Sequence, residues 1–179
     1  MSATEPVGAD AVVPARTSPL ASRVRLALLR RRAAGTLRAG PGVRLARGVR
    51  VSVKPGGTVT LGAGCTLGAG VRIEGGDVAI GPSTTIGERA AIVALSSVEI
   101  GPGAVIGDWA MVTDAEPGIA DVETPVRAQP VGVRPVRIGE GARIGAHAAL
   151  LAGAQVDAGG VVGSYAVLSA EPALTPSPR

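Results

Sequence analysis

The sequence has no phenylalanine and, in 179 residues, only one tryptophan (Trp109), one tyrosine (Tyr165), one cysteine (Cys65) and one histidine (His147). Each scarcity removes a class of structure. Layered globular domains fill their interiors largely with aromatic rings, so any core here must be thin and lined by Val, Ile, Leu and Ala. A single thiol excludes an intrachain disulfide and a multi-cysteine zinc site. No run of about 18 apolar residues exists, so no segment reads as a membrane-spanning helix. The N-terminus lacks a charged start followed by an apolar run, so no signal peptide is expected and a cytoplasmic location is the default. Acids are scarce in the first fifty residues, where ten arginines face two carboxylates, a balance of +8. The remainder carries eight Lys or Arg against twelve acids, a balance of −4. The basic character therefore belongs to the N-terminal segment.

Glycine is abundant instead, at 27 residues, beside a hydrophobic content of 46%. That is too much glycine for long helices and too apolar for a disordered chain. A stacked, repetitive fold satisfies both constraints. Aliphatic residues recur every six positions: Leu61, Leu67 and Ile73; Ile80, Ile86 and Ile92; Ile100, Ile106 and Val112. After an interruption the beat returns with Ile138, Ile144, Leu150, Val156, Val162 and Leu168. Glycine follows nine of these fifteen residues, and a small residue such as Cys65, Thr84, Ala90, Ser96, Ala104 or Ala148 sits four places after many of them.

A period of six fits neither the 3.6 of a helix nor hairpin alternation. It predicts a coil of three short flat faces, each turning one aliphatic and one small side chain inward, with a glycine-containing bend at each corner. Eighteen residues close a turn, and stacked turns pair their backbones along the axis. Counting from Leu61 gives turns at 61–79 with one extra residue and 80–99 with two. The turn 100–137 carries about twenty extra, 138–155 none, and a last turn starts at 156. Val43/Val49 and Leu45/Val51 suggest a rough starting turn upstream. Each buried aliphatic contributes roughly 1.5–3 kcal/mol, so an aligned ladder of fifteen is a workable core.

Hexads such as Ile86-Gly87-Glu88-Arg89-Ala90-Ala91 and Ile106-Gly107-Asp108-Trp109-Ala110-Met111 resemble those of the hexapeptide-repeat, left-handed β-helix acyltransferases. The resemblance implies an all-β fold, a left-handed parallel β-helix over 40–170. It also implies a homotrimer, with acyl-CoA bound in the cleft between neighbouring subunits. Residues 113–135 form the single long loop. Its exit, Thr124-Pro125-Val126-Arg127-Ala128-Gln129-Pro130 followed by Pro135-Val136-Arg137-Ile138-Gly139, resembles that of the sugar O-acetyltransferase branch. Arg127 and Gln129 are thereby candidates for the acceptor wall, with Trp109 and Arg143.

In that branch a loop histidine removes the acceptor hydroxyl's proton as the thioester carbon is attacked, an acceleration of roughly 10²–10⁴-fold. Here the matching stretch reads Thr113-Asp114-Ala115-Glu116-Pro117, so Ala115 and Pro117 stand where the family places histidines. Candidate bases are the loop acids Asp114 and Glu116, a carboxylate serving if its pKa is raised, and the lone His147 at an outward hexad position. Each has a plainer reading, as surface charge or as an outward polar residue near the donor. By position the resemblance puts acetyl-CoA against Ala146, Ser164 and Ser169, largely through backbone groups. Arg143 replaces a tryptophan common in the family, and Ala170 replaces a lysine.

The expected activity is acyl-CoA-dependent O-acyl transfer, acetyl being the expected group, to a hydroxyl of a saccharide or small molecule. The alternative is a catalytically impaired trimeric paralogue serving as a binding or scaffold protein. A metal-dependent hydratase like the γ-class carbonic anhydrases is set aside, because it needs three histidines per zinc; no metal is expected.

Upstream, 1–17 reads as a disordered tail and 18–39 as a basic amphipathic helix, with Ser18 as N-cap and Pro19 at its first position. Leu20, Val24 and Leu28 share one face amid arginines. Such a helix could cover the open end of the coil, the plainer reading, or rest on an anionic membrane. Nucleic acid is not an expected partner, since no stacking aromatics accompany the arginines. Residues 171–179 read as a Pro-rich tail.

Overall fold

The hexads wind into six stacked coils, each presenting one short strand to each of three faces. In the structure, a computed structural model, residues 18–33, 36–117 and 131–170 are described. The fold is a left-handed parallel β-helix with one N-terminal helix.

Backbone pairing fixes the register. On the first face Ala39, Leu61, Ile80, Ile100, Ile138 and Val156 lie above one another. The second face aligns Leu45, Leu67, Ile86, Ile106, Ile144 and Val162. The third aligns Val51, Ile73, Ile92, Val112, Leu150 and Leu168. Ile80, Ile86 and Ile92 therefore occupy three walls of one rung, as the six-residue period requires. Leu67, Ile86, Ile92, Ile106 and Leu150 are fully buried, and the bore is closed by small neighbours such as Cys65, Ala90, Ala104, Ala142 and Ala148.

The extra residues lie at one corner, between the third face and the first. The strands Arg72–Ile80 and Ala91–Ile100 run straight through it, with a register shift between Gly75 and Asp77. Ser96 is consequently exposed rather than inward, and Val98, two residues before Ile100, takes the inner position. The starting turn is more regular than the sequence suggests. Leu45 and Val51 are its ladder residues, and Leu37–Ala39 supplies its first strand. Residues 37–39 thus belong to the coil, and the helix spans Pro19–Arg32.

Glycine does more than bend the chain. At Gly101 an added Cβ would come within 2.6 Å of the backbone nitrogen of Glu140 in the next coil. The nine post-aliphatic glycines fall only after the first and second faces, where successive coils touch backbone to backbone. In the last described coil Gly163 has nothing within 4 Å of that position, because no coil among the described residues lies above it.

The helix lies against the first coil. Ser22 is buried, donating its hydroxyl to the Leu45 carbonyl and accepting the Leu45 N–H, both at 3.3 Å. Arg25 donates to the same carbonyl at 3.0 Å, while Leu26, Leu29 and Ala33 pack on the core. Ser18 makes no side-chain capping bond. The stripe read from sequence, Leu20, Val24 and Leu28, faces outward, at 71%, 54% and 52% exposure.

Candidate active site

Three residues past the ladder position of the second face the chain turns a corner with φ positive. The two lowest coils place Gly48 and Gly70 there; the four above place Arg89, Trp109, His147 and Tyr165, with φ of 56°, 59°, 58° and 61°. A non-glycine residue in this left-handed region costs roughly 1–2 kcal/mol. Four in succession stand where glycine serves below. Their side chains form a stack. The Arg89 guanidinium lies 4.8 Å from the Trp109 ring centre. Trp109 and His147 are 6.1 Å apart and 6° from parallel, and His147 and Tyr165 are 4.8 Å apart and 2° from parallel. That last spacing matches the rise between neighbouring strands, about 4.7–4.9 Å. Trp109, His147 and Tyr165 are all exposed.

The imidazole is therefore flanked by two parallel rings and remains exposed. Ala146 precedes it, half-buried, and its carbonyl accepts the Tyr165 N–H at 2.9 Å. Ser164 is exposed beside Tyr165 in the coil above, so two of the three positions expected to hold the donor join this stack. Ser169 is also exposed but sits beyond the third face. Arg143 projects from the second face between Val105 and Val161.

The loop acids lie elsewhere. Face three begins after Trp109 and ends at Asp114, and five residues of extended chain separate the two corners by about 15 Å. Asp114 is fully buried; its two carboxylate oxygens accept the N–H groups of Leu95 at 2.6 Å and Ser96 at 2.7 Å. Its carbonyl accepts the Arg134 N–H at 2.9 Å. These contacts make Asp114 the clamp that ties the loop's base to the bulged strand below, with neither oxygen left for an acceptor. Glu116 is exposed on a small antiparallel ribbon, Ala115–Pro117 with Val131–Val133, and pairs with Arg134 at 2.9 Å. Arg127, Gln129 and the rest of 118–130 lie outside the described residues. One chain alone does not bring the loop acids to His147.

Tyr165, Arg89 and Arg134 were not legible as site residues from sequence. The signal for the first two was present: Arg89, Trp109, His147 and Tyr165 each follow Ile86, Ile106, Ile144 and Val162 by three residues. An open groove of about 560 Å³ runs along the first face past Glu99, Arg137, Gln155 and Asp157, and none of the described candidate residues lines it. Among the described residues no three His, Cys, Asp or Glu side chains gather to hold a metal ion, and no helix is long and apolar enough to cross a membrane.

No protein-family model matches the chain. A probable acetyltransferase from Mycobacterium tuberculosis is 31% identical over 88 residues, 49% of this chain but only 29% of that protein. Among solved structures, AntD, an N-acyltransferase from Bacillus cereus in complex with dTDP-4-amino-4,6-dideoxyglucose and coenzyme A, superposes with a TM-score of 0.59. That match covers 75% of each chain at 17% identity, a likeness of fold. The chain is thus a hexapeptide-repeat β-helix protein, similar in part of its sequence to an acetyltransferase and in its fold to an N-acyltransferase.

Proposed function

We propose that the protein transfers an acyl group, acetyl in the first instance, from CoA to a hydroxyl of a saccharide or small molecule. The observation that carries this reading is the imidazole of His147, exposed and flanked in parallel by the rings of Trp109 and Tyr165. An alcohol is a poor nucleophile at neutral pH. His147 takes the proton from the acceptor oxygen as that oxygen attacks the thioester carbonyl carbon. The carbon–sulfur bond breaks, the thiolate leaves and receives the proton, and the products are an ester and free CoA. The donor set suits this use, since flat rings and the exposed Ser164 lie beside the imidazole. AntD binds CoA and a sugar nucleotide on the same fold, which supports a CoA donor and makes an amino sugar the first variant acceptor to try.

In this proposal a homotrimer sets the loop edge of one copy, with Glu116, Arg127 and Gln129, against the stack of the next. That brings a loop edge to the stack from a neighbouring copy, whereas within one chain the corner at Asp114 lies about 15 Å from the Trp109 corner across face three. One observation favours the alternative of a non-catalytic trimeric binding or scaffold protein. Both loop acids are engaged, Asp114 by backbone and Glu116 by Arg134, so His147 is the one candidate base left among the described residues.

The test combines two measurements. Acetyl-CoA at millimolar concentration raises the melting temperature, and thiol appears when hydroxyl or amino sugars are added. His147→Ala lowers the rate by about 10²–10⁴-fold. A thermal shift without thiol release supports the scaffold, and neither response removes CoA from the account.

A further inference from the structure

The helix end of the prism is not finished by its contact with the coil. Its underside, Ser22, Arg25, Leu26, Leu29 and Ala33, covers the first coil, yet the opposite side is also apolar. Leu20, Val24 and Leu28 recur at a spacing of four, the interval that places residues on one side of a helix, and all three are exposed. A surface helix that has already buried one face ordinarily turns polar residues outward. Around this stripe the charge is of one sign. Arg23 and Arg31 are exposed on the helix, and Arg38, Arg44, Arg47 and Arg50 are exposed around the first coil, spread over its three faces. No carboxylate among the described residues pairs with any of these six; the ion pairs present are Arg72–Glu74, Arg134–Glu116 and Arg137–Glu99.

We propose that this end docks on an anionic lipid membrane, the stripe entering the headgroup boundary while the arginine collar meets the lipid phosphates. An apolar stripe and a ring of basic residues at one end of the prism are the two signals whose sum gives stable peripheral attachment where either alone is marginal. Charge complementarity selects the membrane over a second copy of the chain, whose own collar would repel. It also selects against nucleic acid, because the aromatic side chains lie in the upper coils and no ring accompanies the collar. The inference stands whether or not the chain transfers acyl groups.

The experiment is co-sedimentation of the full chain with vesicles of phosphatidylcholine alone or containing about one third phosphatidylserine, at low salt and at about 0.5 M salt, where charge contacts are screened beyond a few ångströms. Binding is expected to the anionic vesicles, at least about tenfold stronger than to neutral ones, and weakened by salt. Leu20→Ser/Val24→Ser/Leu28→Ser reduces the bound fraction severalfold with an unchanged melting temperature, since these side chains support nothing below them. Arg38→Gln/Arg47→Gln reduces it independently and flattens the salt dependence. Failure to bind anionic vesicles at low salt overturns the proposal. So does equal binding by the triple serine variant, or retention on duplex DNA or RNA in preference to vesicles.

Discussion

Asp114 and Ser96 lie in successive coils, joined by a 2.7 Å hydrogen bond from the Ser96 N–H to a carboxylate oxygen; the other oxygen accepts from Leu95. The bulged strand Ala91–Ile100 would otherwise leave these amides without partners at the corner, and the long loop departs from the same place. Removing the carboxylate deletes two part-buried, charge-assisted hydrogen bonds, at about 1.5 kcal/mol each. Asp114→Ala should therefore lower the melting temperature by several degrees, given about 2–4 °C per kcal/mol at this chain length. Asp114→Asn keeps one acceptor and should fall between. Calorimetry on the three proteins checks the order, and an unchanged melting point for alanine would show that the clamp carries no weight.

A second expectation concerns the steric role of glycine. Gly101→Ala forces its Cβ against the Glu140 backbone, which cannot swing aside as a side chain could, and overpacking of this kind costs about 1–3 kcal/mol. Gly163→Ala, at the corner after the second face in the last coil, meets nothing within 4 Å and should change stability by no more than about 0.5 kcal/mol. Denaturant unfolding of the pair separates a close-approach requirement from a general preference for glycine at corners. Equal losses would sink the steric account.

The contrast between these glycines shows how far the sequence can be read. The six-residue beat yields the coil, its phase and the lengths of its turns, because an inward aliphatic residue must recur wherever the chain returns to the same wall. It also places residues of equal offset above one another, without saying which of those corners carry side chains that stack. The Arg89–Trp109–His147–Tyr165 stack joins residues 20, 38 and 18 positions apart, intervals set by insertions at a different corner. The helix misleads for a related reason. Its outward stripe of Leu20, Val24 and Leu28 has the clearer periodicity, while the buried side uses Ser22 and Arg25, polar residues that satisfy the Leu45 carbonyl at the first coil. Asp114 is a candidate base because it lies in the stretch that matches the family's loop histidines; only the backbone geometry of the neighbouring coil reveals two amides waiting for it.

The stack itself can be dissected at His147. Glycine accepts a φ of 58° freely and alanine does not, so His147→Gly should be more stable than His147→Ala by about 1 kcal/mol, although both lose the same ring contacts. If the imidazole is the base, the two variants share the same loss of transfer rate, in contrast to their stabilities. Tyr165→Ala should leave the base present but free on one face. Turnover is then expected to fall by a smaller factor, about 10-fold or less, consistent with lost positioning. Rate and unfolding measurements on all three variants distinguish the roles; a His147→Gly enzyme of full activity would move the base elsewhere.

Cys65 makes the last prediction, and its sign follows from burial. The thiol points into the bore, fully buried, and donates to the Gly81 carbonyl at 3.0 Å. Desolvation pushes its pKa above the usual 9.0, outweighing the backbone hydrogen bonds that pull it down. The reactive species is the thiolate, so both access and ionisation are denied in the folded chain. Iodoacetamide at about pH 8.5, near the ordinary thiol value, should label unfolded protein at least 100-fold faster than folded. A raised folded value also means that the native state keeps a proton which the unfolded state surrenders first. The thiol's contribution to stability is therefore complete below the unfolded pKa and declines as pH rises through the folded one. The stability difference between the wild-type protein and Cys65→Ala should narrow as pH rises above about 9, and a difference that stays constant to pH 11 would place the thiol in water rather than in the bore.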